Sequence, residues 1–516
     1  MMTTPKPFAP RSSGVLLHPT SLPGPYGCGD LGPEAYHWVR TLQAMQQSWW
    51  QILPLGPTGA GNSPYQSFSA FAGNVMLLSP ELLIQEGLLP RGFGAEQQFR
   101  TDRVEYDRVI PFKHAVVREA FNRFQGGTGG AKLRGEYDAY LAREASWLDE
   151  YATYAAIRAA LGGAGLNHWP KELRERQPAA LAEMEKTTAG EADMHRFGQF
   201  LFDKQWTALK DFAHEHGVKV IGDAPIFVAM DSVDVWANPE EYLLDANRDP
   251  LAVAGVPPDY FSPTGQHWGN PLYDWKKMAA TGYAWWVARL KRNLHQVDLI
   301  RLDHFRGFAA AWHIPADQPT ALHGKWVRGP GADLFDRFVK ELGDELPIIA
   351  EDLGLITPDV TELRERYGLP GMRVLQFMLG EPENLYWPHN YEPLTVCYTG
   401  THDNDTTNGW YAGLNDTDRW QLGVYLGHPV RNAAEDLLRL AWASTARLAI
   451  APMQDLLGLG GEARMNVPGV GVGNWEWRFH AGQLSRDAID RVAGLTAMMN
   501  RVPGAGNKAT APASYL

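Results

Sequence analysis

The sequence predicts an α/β protein, a (β/α)8 barrel with inserted subdomains, and three observations carry that prediction. Eight short runs of continuous apolar or β-branched residues recur along the chain. Unbroken rather than alternating apolar character suits strands buried on both faces, as in a parallel sheet. Most of these runs follow an amphipathic segment of helical period, and such alternation builds α/β folds. Length agrees: at about 150 residues per domain, 516 residues suggest three domains. A barrel, however, occupies about 250 residues and takes insertions to beyond 400.

Taken in order, the first two runs are Gly14-Val-Leu-Leu-His18 and Trp49-Trp-Gln-Ile-Leu-Pro-Leu55. The third, Val218-Lys-Val-Ile-Gly-Asp223, follows a helix expected over His195–His216 that ends at Gly217. The fourth, Asp298-Leu-Ile-Arg-Leu-Asp303, follows Tyr283–Val297, where Trp286, Leu290 and Leu294 recur at helical spacing. The fifth is Leu346-Pro-Ile-Ile-Ala-Glu351. Thr357 is placed to cap the next helix with Pro358 in its first turn, and Gly368 ends it before the sixth run, Gly371–Phe377. Thr395-Val-Cys-Tyr-Thr399 and Arg447-Leu-Ala-Ile-Ala-Pro-Met453 complete the eight.

The spacing between runs two and three is too long for one strand–helix unit. Residues 56–217 are therefore expected to hold a Gly/Pro-rich loop and a helical subdomain, with helices near 110–125, 137–160 and 171–187. The Gly-rich stretch at 126–130 reads as a flexible link within it. Residues 229–280, rich in Pro, Asp and aromatics, read as an irregular insertion, and 503–516 as a poorly ordered tail. The whole of 1–516 is then one barrel domain.

Composition excludes several classes of function. Charged residues are 21% and hydrophobic residues 45%, as in an ordinary folded domain. A net charge of −12 argues against a phosphate backbone as partner, so no nucleic acid is expected. No stretch reaches 18 apolar residues and the first residues lack an apolar signal core, so no membrane partner is expected either. Two cysteines suit a reducing compartment, and a cytoplasmic protein is expected. Trp, at 19, is as common as Tyr, and its flat apolar face serves a half-wet binding wall as well as a core.

Catalytic groups in barrels sit at the C-terminal ends of the strands. The third run ends at Asp223, the fourth offers Arg301, Asp303 and His304, the fifth ends at Glu351, and the seventh leads to His402 and Asp403. Charged groups next to buried strands are costly unless paired. Any one carboxylate could simply cap the following helix. Four strand ends carrying Asp, Asp, Glu and Asp with Arg and His between them call for a shared purpose. Asp303-His304 and His402-Asp403 also look like metal-ligand pairs, but hydrolytic metal sites commonly draw on more than two histidines. Carboxylates without a metal suit glycosidic-bond chemistry, in which one attacks the anomeric carbon and another protonates the leaving oxygen. No cofactor is expected. Arg301 precedes Asp303 by two residues, so strand alternation sets both on one side, where the guanidinium would keep the carboxylate ionised.

Asp223, Arg301-Leu-Asp303, Glu351 and His402-Asp403 resemble, in this order, the four motif regions of the α-amylase clan. More narrowly, the chain is similar over essentially its whole length to the 4-α-glucanotransferases of the amylomaltase type, glycoside hydrolase family 77. The segments that carry this are 17–27, 54–58, 63–69, 255–261, 266–271, 301–307, 350–354, 400–403 and 465–469. The resemblance implies that Asp303 is the nucleophile, Glu351 the general acid/base and Asp403 the stabiliser of the transition state. It implies substrate contacts from Ser63, Tyr65, Asp223, Asp259, Gln266, Trp268, Arg301, His402 and Asn474. Tyr65 would stack under the cleaved sugar, Asp223 would hold that sugar's far edge, and Trp268 would line the acceptor side. The implied reaction is retaining transfer of α-1,4-glucan segments among maltooligosaccharides, starch-type glucans and glucose; hydrolysis by the same carboxylates is the alternative.

Overall fold

All eight apolar runs form strands, and all eight belong to one parallel sheet. The computed structural model describes residues 8, 10–258 and 262–504. The strands are β1 (Ser12–Leu16), β2 (Trp49–Gln51), β3 (Lys219–Pro225), β6 (Leu299–Asp303), β9 (Ile348–Ala350), β10 (Gly371–Val374), β11 (Thr395–Tyr398) and β12 (Leu448–Pro452). They lie in the order β10-β11-β12-β1-β2-β3-β6-β9. The two ends of that order meet where Ala350 N–H donates to Pro370 O at 3.0 Å and Met372 N–H to the Asp352 carboxylate at 2.7 Å. The ring is a (β/α)8 barrel.

Alternation along the strands sorts their side chains into two clusters. Val15, Trp50, Val220, Ile300, Leu302 and Ile348 join the large cluster shared with the surrounding helices. Leu16, Trp49, Ile221, Leu299, Ile349, Met372, Val396, Tyr398, Leu448 and Ile450 form a second cluster that fills the barrel. This parity matters for the site: Asp223 follows Ile221 by two residues, and Arg301 and Asp303 follow Leu299 by two and four. Their side chains therefore continue the barrel's inner layers upward to its rim.

The segment between β2 and β3 is mostly helical, with two short helices, Pro80–Gln85 and Lys171–Arg174, and three long ones. Helices span Tyr106–Gln125 and Gly130–Ala160, and a single 38-residue helix runs Pro178–Glu215. That last helix joins the two segments separated in the sequence reading; its first half belongs to the insertion and its second half leads into β3. The Gly-rich stretch at 126–130 is a tight reversal between two helices, with Gly127, Gly129 and Gly130 in left-handed conformations. Thr357 precedes its helix without capping it, because its hydroxyl bonds Asp359 at 2.5 Å instead.

Residues 229–280 are not irregular. They carry β4 (Ala252–Val256) and β5 (Gln266–Pro271), which pair antiparallel and join β7 (Ala310–Pro315) and β8 (Lys325–Arg328) in a second sheet, ordered β5-β4-β7-β8. Gly255 and a register shift beside it break the apolar alternation that would have marked these strands. The tail expected at 503–516 lies outside the described residues beyond 504. Among the described residues no helix is long and apolar enough to cross a membrane.

The seam between the first and last strands is closed at its base by one side chain. Arg501 is 0% exposed, and its guanidinium donates to the carbonyls of Trp442, Ser12, Ala446 and Ser444 at 2.7, 2.8, 2.9 and 3.1 Å. Arg11 also donates to Ser444 O at 2.8 Å and Trp442 O at 3.2 Å, so removing Arg501 strips its side-chain donor mainly from Ser12 O and Ala446 O, at about 1–3 kcal/mol each. Arg501→Met should therefore lower the unfolding free energy in urea by at least about 2 kcal/mol. An unchanged urea midpoint would contradict this role.

Candidate active site

The site begins at a buried cation. Arg301 donates Nη1 to Asp223 Oδ2 at 2.6 Å and Nη2 to Asp303 Oδ1 at 2.8 Å. Asp223 on β3 and Arg301 on β6 are direct register partners, so the sheet itself sets this contact. The Asp223 side chain is 0% exposed, whereas that of Asp303, at the strand end, is 29% exposed. One carboxylate thus locks the guanidinium from below while the other is presented to the cleft. Charge-assisted pairs of this kind are short and directional.

Glu351 sits just past β9. Its Oε2 accepts the His304 N–H at 2.7 Å and its Oε1 the Leu353 N–H at 2.9 Å. These donors favour the charged form, but burial and the charge of Asp303 outweigh them and push the carboxyl up to about 8. Burial also raises Asp303, to about 6, against the pull of Arg301. The two titrate as a pair, and the one bonded to Arg301 gives up its proton first. Burial and mutual repulsion thus favour one proton on the pair, held by Glu351, which has no guanidinium bonded to it.

Asp403 is treated differently. The loop after β11 carries it, with 44% of its side chain exposed. Burial works against its charge, yet His402, with Nε2 3.2 Å from Oδ2, and Asn466, donating to Oδ1 at 2.6 Å, hold it well below the usual carboxylate range. Arg464 donates to its backbone carbonyl at 2.6 Å. Beneath the loop, buried Asp455 accepts from the Thr399 and Thr407 hydroxyls at 2.6 and 2.7 Å and from Thr407 N–H at 2.8 Å. It pins both ends of the segment that carries His402 and Asp403.

Tyr65, from the loop after β2, closes one wall. Its hydroxyl donates to Asp223 Oδ2 at 2.8 Å, and its ring stacks on His402 with centroids 4.9 Å apart. Ser63 accepts the Tyr65 N–H at 3.2 Å and so shapes the turn that presents it. On the opposite side, the Trp268 indole N–H donates to Gln266 Oε1 at 3.1 Å, and its ring meets His304 edge-on at 4.8 Å. Tyr65, Asp223, Arg301, Asp303, Glu351, His402 and Asp403 are thus tied into one constellation, with Trp268 reached through His304.

The Asp223 side chain is closed off from solvent beneath Arg301 and Tyr65, both of which it holds through Oδ2. Asn474 is buried in the loop that carries it. Its amide accepts Val467 N–H at 2.9 Å and donates to Val470 O at 2.7 Å and Val467 O at 3.4 Å, which braces its own loop. Asp259 lies outside the described residues. Asn466, Arg464 and Asp455 went unnoticed in the sequence. Asn466 falls within the motif at 465–469, but nothing local marks Asp455. Among the described residues, no group of three His, Cys, Asp or Glu side chains is placed to hold a metal ion.

The chain as a whole is similar to known proteins. A family model described as 4-alpha-glucanotransferase matches residues 17–485. The 4-alpha-glucanotransferase of Thermus thermophilus is 47% identical over 502 residues, which is 96% of this chain and 99% of that protein. The chloroplastic/amyloplastic 4-alpha-glucanotransferase of Solanum tuberosum is 44% identical, covering 94% of this chain and 84% of that one. An amylomaltase from Streptococcus agalactiae, solved in complex with acarbose, superposes with a TM-score of 0.92 at 37% identity, over 95% of this chain and 100% of that chain.

The charge arrangement predicts a bell-shaped dependence of kcat/KM on pH, with the acid limb from ionising Asp303 and the alkaline limb from Glu351 losing its proton. Asp223 contributes a negative charge that raises Asp303. Asp223→Asn should therefore move the acid limb to lower pH, since the amide oxygen can take the Oδ2 position between Arg301 and Tyr65. A pH–rate profile with an unmoved acid limb would remove Asp303 from that limb.

Proposed function

Because the chain belongs to the 4-alpha-glucanotransferase family, we propose that its rim of carboxylates is a single retaining transfer site. The observation that carries this reading is the division of labour among three carboxyl groups. Asp303 is ionised by contact with Arg301 and open to the cleft, Glu351 is protonated by burial beside it, and Asp403 is held charged by His402 and Asn466.

In the first step a donor glucan's anomeric carbon is attacked by the free oxygen of Asp303, and the Glu351 proton passes to the departing glycosidic oxygen. The shortened glucan leaves, and the rest is held as an ester on Asp303. In the second step the Glu351 carboxylate takes the proton from an acceptor's 4-hydroxyl, whose oxygen displaces Asp303 and restores an α-1,4 bond. Positive charge builds at the ring between these states, and a carboxylate that stays ionised at Asp403 opposes it. Tyr65 supplies an apolar face beneath the sugar and Trp268 one on the acceptor side. Maltooligosaccharides, starch-type glucans and glucose are the substrates. Water in place of the acceptor hydroxyl would make the same residues a hydrolase. The two cysteines, Cys28 and Cys397, are free and buried, which fits a reducing compartment, and we assign the protein to the cytoplasm.

Incubation with maltotriose separates the two reactions. Transfer yields glucose together with a ladder of longer maltooligosaccharides; rising reducing ends without longer products would sink the transferase reading. Asp303→Asn should abolish turnover with the circular dichroism spectrum unchanged. Activity within about tenfold of the parent would mean that another group attacks.

A further inference from the structure

His304 stands between the two halves of this site and belongs to neither. Its backbone is left-handed, with φ of 52°, in a chain where few residues other than glycine adopt that conformation. This bend turns two successive amides toward one target. His304 N–H donates to the Glu351 carboxylate at 2.7 Å, and Phe305 N–H donates to the Glu351 carbonyl at 3.1 Å. One amide thus holds the carboxylate of Glu351 and the next holds its main chain. The half-buried imidazole lies between Phe227, at 6.4 Å, and Trp268, at 4.8 Å and nearly perpendicular. Burial and the charge of Arg306 hold the ring well below its ordinary pKa, so it is neutral and meets Trp268 as an aromatic surface.

We propose that His304 is a positioning residue that joins the acceptor wall to the acid/base, its main chain fixing Glu351 and its ring bracing Trp268. The inference rests on the transfer reading above. It separates the two functions of one residue. Glu351 is needed in both chemical steps whatever the acceptor, whereas Trp268 seats a sugar, the leaving one in the first step and the accepting one in the second, and does nothing for water. Loss of the ring should therefore lower the share of the intermediate captured by sugar rather than water, and loss of the bend should weaken both steps for either acceptor.

Two variants separate these effects. His304→Asn keeps a side chain that tolerates left-handed backbone and removes the ring; His304→Val places a branched Cβ where that conformation is strained. With maltotriose as donor, the Asn variant should show at least about a threefold fall in the ratio of longer products to new reducing ends, the size of one lost aromatic contact. Its apparent KM for added glucose should rise by a similar factor. The Val variant should lose cleavage and transfer together. Trp268→Ala should mimic the Asn variant, and the double variant should be no worse than Trp268→Ala alone, as expected for coupled residues.

An unchanged ratio and acceptor KM in His304→Asn would overturn the inference, as would an equal loss of cleavage and transfer, or additive effects with Trp268→Ala. If His304→Val does not fold, the Asn variant and the double variant still decide. Failure of the underlying reading looks different: the parent itself would give no products longer than maltotriose.

Discussion

The whole site is arranged around one buried guanidinium. Arg301 has been taken out of water inside a barrel, and an unpaired charge there would be untenable. Its two partners divide the tasks that follow from this. Asp223 neutralises it from a position solvent cannot reach, so the second carboxylate need not be consumed by the same duty. Asp303 can then use one oxygen to hold the cation and leave the other free. The register of β3 against β6 makes this possible, because it sets Asp223 and Arg301 side by side before any loop is considered.

From that anchor the electrostatics of the remaining carboxyls follow by distance and solvation. Glu351 shares the charge field of Asp303 without a cation of its own, so it retains a proton despite two backbone donors. Asp403 lies in a more exposed loop with an imidazole and an amide on its two oxygens, so it does not. Three similar functional groups thus occupy three different protonation regimes because their neighbours differ. The loop carrying Asp403 is held from beneath by Asp455, a carboxylate that burial also raises and whose two oxygens accept from Thr399 and Thr407.

Much of this was legible in the sequence because barrels concentrate information. Strands buried on both faces leave continuous apolar runs, and a charged residue at such a run's end interrupts it visibly, as Asp223, Asp303 and Glu351 do. The strands of the second sheet left no such trace. One face of β4 and β5 is partly exposed, and Gly255 interrupts the pattern, so the segment looked irregular. Asn474 and Asp223 show what a motif leaves open. A polar residue in a motif shows that its hydrogen bonds matter, but its sequence does not say whether the partner is a sugar or the protein's own backbone. Asp455 was invisible because its partners, Thr399 and Thr407, come close only through the pairing of β11 with β12.

The closure of the ring by Arg501 bears on how the molecule comes to exist. β1 pairs with β12, so Ser12 must wait for Leu448 before its outer edge is covered, and the carbonyl of Ser12 waits further for Arg501. During synthesis an early strand therefore emerges with one hydrogen-bonding edge open while most of the chain is still to be made. Contacts so distant in sequence form slowly, and an open edge in the interval invites pairing with other chains. The last turn of the described chain thus supplies a side chain that the first strand needs, so neither end of the barrel is complete without the other.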